Sequence, residues 1–277
     1  MPASSVTRKD VVKLIDDIVK RGSPVQAGNV MRELNAAYNF AIDLERFDDE
    51  FANPALQASP GLKRAHKNKL TAKKRKRVLS DQELTRVLRW LPGSGFSTTQ
   101  KSILMFTLWT GCRTGELCDA EWKDVDFNKS TRHVRDTKNG TSRNVRLPRQ
   151  AVDYMKQLKL TTNEYVFPST KTGLPIQQKS LSETKWHLKN PDNVKNGRVY
   201  RKEQQWLTDM DDWVPHDLRR TVRAGLAKLK CPSDVAETVL GHTLKGVEGI
   251  YKQYSYDDEC LDWLQAWADY TDTLRCK

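Results

Sequence analysis

A chain of 277 residues with 38% hydrophobic and 30% charged side chains has the size and balance of one or two soluble domains. No apolar run approaches the roughly 18 residues that a membrane span requires, and the first five residues lack the apolar core of a secretory signal, so a cytoplasmic protein with no membrane association is expected. The 47 Lys and Arg outnumber the 35 Asp and Glu for a formal net charge of +12, which points to nucleic acid, because each phosphate neutralised by a basic side chain releases condensed counterions.

In chain order, Thr7 to Arg21 and Ala27 to Phe47 carry helical apolar spacing, the second through Val30, Leu34, Ala37, Tyr38, Ala41, Ile42 and Leu44. They predict a small helical domain over residues 1–62, near the lower size limit for independent stability. Asn53-Pro54 and Ser59-Pro60-Gly61 read as turns. Nine basic residues and no acid then follow: Lys63, Arg64, Lys67, Lys69, Lys73, Lys74, Arg75, Lys76 and Arg77. Self-repulsion predicts an extended interdomain linker over 63–78, a solvated tether that can also lie along a phosphate backbone.

A second domain is predicted over 79–277. Ser80 and Glu83 form a capping-box pattern ahead of Leu84, Val87, Leu88 and Leu91. An apolar helix from Thr98 to Trp109 breaks at Thr110-Gly111-Cys112, and another follows from Thr114 to Ala120. The period then changes: Arg132 to Asp136 and Arg143 to Leu147 read as strands joined through Thr137-Lys138-Asn139-Gly140, where Asn-Gly suits a tight hairpin. Further helices are predicted at Gln150 to Leu158, Lys179 to Leu188, Asp217 to Leu229, Ser233 to Leu240 and Asp257 to Tyr270, with a polar loop from Asn190 to Trp206. The expected fold class is mainly α (α+β), with one small antiparallel sheet. The five cysteines are odd in number and lack metal-ligand spacing, which argues against a disulfide framework or structural zinc and for a reducing compartment.

Three segments carry candidate chemistry. His216 and Arg219, three apart, share a face at a helix N-terminus, where unpaired N–H groups and the helix dipole favour anions. Arg113 sits at the joint between two helices, in Thr110-Gly111-Cys112-Arg113-Thr114-Gly115-Glu116-Leu117, where it reads equally as a helix-capping partner of Glu116. Leu240-Gly241-His242 ends a helix with glycine at the position that favours a left-handed turn, and Tyr251 lies nine residues beyond the histidine. On residue type alone Arg220 competes with Arg219, and Tyr254 and Tyr256 compete with Tyr251.

Together these segments resemble the tyrosine recombinase family, in particular the integrases of phages and genomic islands. The resemblance covers essentially the whole chain, and its specific motifs run from Thr110 to Tyr251. Box I falls on Thr110 to Leu117, box II on His216 to Thr221, and the closing signature on Leu240-Gly241-His242 with Tyr251. The family's hairpin lysine falls on Lys138, although Lys123, Lys129 and Lys171 lie near the same region. The resemblance implies a site-specific recombinase that cleaves and rejoins double-stranded DNA at attachment sites through a covalent 3′-phosphotyrosine, integrating or excising a mobile element with no cofactor, metal or ATP. It implies Tyr251 as nucleophile, Arg113 and Arg219 on the non-bridging oxygens, Lys138 as general acid, and His216 and His242 on phosphate and proton, with Glu116 orienting the basic side chains. It further implies a core-type DNA-binding domain before the linker, a homotetramer on DNA in a bacterial cell, and accessory DNA-bending factors from host or element. A separate N-terminal arm-binding domain is not visible.

From Tyr256 onward six acids face only Arg275 and Lys277, so this tail avoids phosphate. Its apolar Leu261, Trp263, Leu264, Trp267 and Leu274 suit docking either onto a neighbouring subunit, as in the family, or back onto the same domain. Two rival functions share the composition: relaxation of supercoils in the manner of a type IB topoisomerase, and non-catalytic DNA binding.

Overall fold

The computed structural model describes residues 1–67, 69–72, 75–135, 142–190, 210–242 and 256–276. The chain divides into two compact units, Met1–Arg75 and Lys76–Lys277.

The first unit is built from α1 (Arg8–Lys20), α2 (Pro24–Asp43) and α3 (Pro54–His66). Thr7 and Asp10 close a capping box at the start of α1, whose Val11, Ile15 and Ile18 face inward. Ala27, Met31 and Tyr38 of α2 and Ala55, Ala58 and Leu62 of α3 complete the core.

Helix α3 corrects the expectation of turns and an extended segment there. Asn53 caps it, accepting the N–H groups of Ala55 and Leu56 at 2.9 and 3.0 Å, and Pro54 occupies the first turn, where a missing N–H costs nothing. Pro60 is tolerated inside the helix because the carbonyl it leaves unpaired belongs to Leu56, on the exposed face. The helix carries Lys63 and Arg64 in its last turn, His66 Nε2 lies 2.8 Å from Asp16 Oδ1 on α1, and Leu70 joins the core. The basic stretch is therefore helical as far as His66, with Leu70 in the core beyond it; apolar burial on one side of α3 outweighs charge repulsion on the other.

In the second unit the elements are α4 (Asp81–Trp90), α5 (Thr98–Thr110), α6 (Thr114–Cys118), β1 (Val125–Asp126), β2 (Thr131–Val134), β3 (Arg143–Arg146), α7 (Arg149–Lys159), α8 (Lys179–Lys189), α9 (Pro215–Lys228), α10 (Ser233–Leu240) and α11 (Asp257–Cys276). The Ser80–Glu83 capping box forms as the pattern requires. Arg77, expected in the linker, is drawn onto this unit by an ion pair with Glu83.

Helix α5 is the hub. Its Ile103, Leu104, Phe106 and Leu108 are fully buried against α6, α7, α9 and α11. Helix α9 answers with Leu218, Val222 and Leu226, the stripe that its spacing predicts, while Leu229 is only partly buried. The sheet is antiparallel in the order β1-β2-β3, with Val134 opposite Arg143 and Arg132 opposite Val145. Both predicted strands are present, shorter than expected; β1, two residues long, has no periodicity to reveal it.

The acidic tail forms α11 and packs on α4, α5, α9, α10 and β3 of its own unit. Its anchor is Trp267, fully buried, whose indole N–H donates to the Leu108 carbonyl at 2.7 Å. The ring lies where a side chain at Gly225 would stand: a Cβ there would meet Trp267 Cζ3 at 2.0 Å. Within the single chain, this segment packs on its own domain. No helix among the described residues is long and apolar enough to cross a membrane.

Candidate active site

The site forms where three turns distant in sequence meet. Helix α5 stops at Gly111, whose φ of +65° is the left-handed conformation that ends a helix without strain. The chain re-enters a helix at α6, with Arg113 as its N-cap. The Arg113 backbone N–H donates to Glu116 Oε2 at 3.0 Å and its Nη1 to Glu116 Oε1 at 2.6 Å, so the capping role and the site role belong to one residue. Close packing brings α9 and α10 to this turn: a Cβ on Gly111 would sit 3.0 Å from Leu240 Cδ2 and 3.4 Å from Val222.

Arg219, in the second turn of α9 and 3% exposed, binds the three segments together. Its guanidinium donates to the carbonyls of Gly111 and Leu240, and Nη2 lies 3.1 Å from His242 Nε2. An arginine N–H only donates, so His242 Nε2 accepts, and Nδ1 carries the proton toward Glu237 Oε2 at 2.5 Å. Glu237 is held from behind by Arg223 at 2.7 Å. Burial, reinforced by Arg113 and Arg143, pushes the Arg219 pKa down to about 10, which still leaves it charged at neutral pH.

Arg113 and His216 line one cavity of about 640 Å³, with Glu116, Arg132, Arg135 and Gln178 among its walls. Arg219 and His242 do not line that cavity; they join the group through the Gly111 carbonyl, two residues before Arg113. His216 is exposed at the cavity wall, and partial desolvation first, then Arg220 and Arg219, hold its pKa below the ordinary value, so it is neutral at pH 7 and able to accept a proton. Burial alone pushes the Glu116 carboxyl up, but Arg143 and Arg113 outweigh it, so Glu116 is an anion among cations.

Of the sequence-predicted residues, Arg113 and His216 share one cavity and Arg219 and His242 one hydrogen bond, and the Arg113 charge acts on both His216 and Arg219. Arg220 turns away to Asp217 Oδ1 at 2.5 Å, which separates it from its neighbour. Tyr256, one of the rival tyrosines, packs against the core at the start of α11, and Lys123 is ion-paired to Glu121. Lys138 and Tyr251 lie outside the described residues, as do Tyr254 and, in the basic segment, Lys73 and Lys74. Lys63 and Arg64 end α3, Lys67 is its left-handed C-cap, Lys69 and Arg75 follow in the first unit, and Lys76 opens the second.

Two arginines of the sheet were not singled out by the sequence. Arg132 on β2 is buried and donates to the Glu116 carbonyl at 2.6 Å. Arg143, first residue of β3, reaches Glu116 Oε2 at 2.9 Å and the Val239 carbonyl at 2.9 Å. Their one available signal was alternation along the strands, which puts Arg132 with Val134 and Arg143 with Val145 on one face, away from Arg135 and Arg146, but names no partner for either.

Gly241 is fixed twice over. Its φ is +61°, and a Cβ there would lie 2.4 Å from Arg143 Nε. Gly241→Ala is therefore expected to cost roughly 1–2 kcal/mol for the left-handed backbone alone, and more as Arg143 is displaced; thermal unfolding reads it, and an unchanged melting temperature would contradict this packing.

Residues 77–257 match the phage integrase family. Prophage integrase IntA of Escherichia coli K12 is 20% identical over 265 residues, 94% of this chain and 57% of its own length. Tyrosine recombinase XerA of Pyrococcus furiosus is 19% identical over 248 residues, 89% of this chain and 76% of its own. The chain thus spans little more than half the length of the first of these relatives. Among solved structures, a lambda integrase dimer bound to a COC′ core site superposes with a TM-score of 0.58 at 18% identity, covering 88% of this chain and 81% of that one. The Tn1549 transposon integrase in complex with circular intermediate DNA gives 0.57 at 19%, covering 98% and 86%. These two likenesses establish a shared fold.

Proposed function

The chain belongs to the phage integrase family, and from that membership we propose that it cleaves and rejoins double-stranded DNA at specific sites through a covalent 3′-phosphotyrosine, integrating or excising a mobile element. The observation that carries the reading is that the three segments bearing Arg113, His216 with Arg219, and His242 are fastened together by the Arg219 guanidinium.

In this mechanism the Tyr251 hydroxyl attacks a phosphodiester and the deoxyribose 5′-oxygen leaves. Bond energy is conserved in the phosphotyrosine, so rejoining needs no external energy source. Charge grows on the two non-bridging oxygens, where Arg113 and Arg219 neutralise it with planar forks. His216, kept neutral by partial desolvation and cationic neighbours, accepts the tyrosine proton. Lys138 protonates the leaving oxygen. His242 supports a phosphate oxygen once Arg219 turns to substrate and the released Nε2 takes up a proton, so that it donates to the oxygen while Nδ1–H stays on Glu237. Residues 1–75 form a core-type DNA-binding domain, followed by the catalytic residues 76–277, and basic side chains near that boundary contact the DNA backbone. On DNA the chain works as a tetramer.

The test is covalent capture. A pool of nicked duplexes with a randomised core, incubated with the chain in EDTA and without ATP, is expected to yield a protein–DNA adduct whose phosphate maps by mass spectrometry to Tyr251. Phosphate on Tyr254 or Tyr256 would replace the nucleophile. No adduct beside ordinary DNA retention would favour a non-catalytic DNA-binding protein.

A further inference from the structure

Glu116 is buried, ionised, and shared. Arg113 holds Oε1 at 2.6 Å, and Arg143 holds Oε2 at 2.9 Å from the opposite element, β3. The same Arg143 guanidinium reaches the Val239 carbonyl at 2.9 Å, three residues before His242, and its side chain lies over Gly241. Each of its terminal nitrogens thereby gives one N–H to a protein acceptor, and Nε is buried with no hydrogen-bond partner among the described residues.

We propose that Arg143 is a positioning residue for DNA cleavage: by sharing Glu116 with Arg113 it keeps the Arg113 guanidinium electrically available to phosphate, and by holding the Val239 carbonyl it keeps the Gly241–His242 turn in register. The proposal rests on the reading of the chain as a recombinase that attacks a phosphodiester. One carboxylate between two guanidiniums leaves a net positive charge beside the cavity. Without Arg143, Glu116 and Arg113 form a closed pair of no net charge, and Arg113 exchanges an ion pair for a phosphate at a greater cost. Freeing the Val239 carbonyl also loosens the turn from which His242 meets Arg219, and small misplacements at a reacting centre are costly.

The experiment uses a duplex recovered by covalent capture, made with either a phosphodiester or a methylphosphonate at the scissile position. The methylphosphonate lacks the anionic oxygen, so a defect in charge neutralisation is relieved on it, whereas a general loss of folded protein lowers both rates alike. Arg143→Met is expected to slow adduct formation on the phosphodiester by about tenfold or more, to keep non-covalent DNA retention, and to recover on the neutral linkage in the same sense as Arg113→Met. Arg143→Lys restores charge beside Glu116 and should fall between. Comparing the two linkages on one preparation removes the folded fraction from the ratio. Equal deficits of Arg143→Met on both linkages, with Arg113→Met relieved, would overturn the proposal and leave the recombinase reading standing, as would the absence of any deficit. Failure of the unaltered chain to form adduct on either linkage would overturn both.

Discussion

Arg219→Lys is expected to reduce single-turnover adduct formation by at least about a hundredfold, comparable to deleting one donor of an oxyanion hole. The reason is the geometry of the fork. Three acceptors on two segments surround the guanidinium, namely the Gly111 carbonyl on one and the Leu240 carbonyl and His242 Nε2 on the other. A lysine ammonium is a point donor on a longer flexible stem, and it does not span the same plane. The substitution therefore strikes twice, removing a phosphate ligand and leaving two buried carbonyls short of a donor. The second loss costs about 1–3 kcal/mol for each unsatisfied group, so a lower melting temperature should accompany the kinetic effect. Arg220→Lys is the matched control: that side chain is bonded to Asp217 and more exposed, and its replacement should leave adduct formation within a few-fold of the unaltered chain. If Arg219→Lys and Arg220→Lys behave alike, box II has been placed on the wrong arginine.

The same contrast shows what the sequence made legible. Arg219 and Arg220 are adjacent and identical in type, and only motif position chose between them; the structure supplies the physical distinction, since α9 buries one and turns the other outward. Periodicity located α5, α9 and α10 well because each must bury an apolar stripe, and the glycines at 111 and 241 marked real helix ends with positive φ. Helix α3 was lost because proline was read as a breaker, when Pro54 stands in the first turn and Pro60 faces water. Arg143 was illegible for a different reason. Its role depends on Glu116 and Val239, 27 and 96 residues away, and no local pattern encodes a partner at that range.

Trp267→Ala is expected to be the most destabilising single truncation on α11, costing about 3–5 kcal/mol. The ring is fully enclosed, it occupies the space that Gly225 leaves open, and its N–H satisfies the Leu108 carbonyl inside the hub helix. Truncation therefore opens a cavity and orphans a buried acceptor together. Trp263, only partly buried on the same helix, provides the comparison, and Trp263→Ala should cost well under half as much. Denaturant titration followed by circular dichroism measures both. The result also bears on assembly. A tail docked on its own domain stabilises each chain independently of its neighbours, so the unfolding midpoint of the DNA-free protein should not move with protein concentration. A midpoint that rises with concentration, and loses that dependence in Trp267→Ala, would show instead that α11 is exchanged between chains, and the acidic tail would then be an assembly element before DNA is bound.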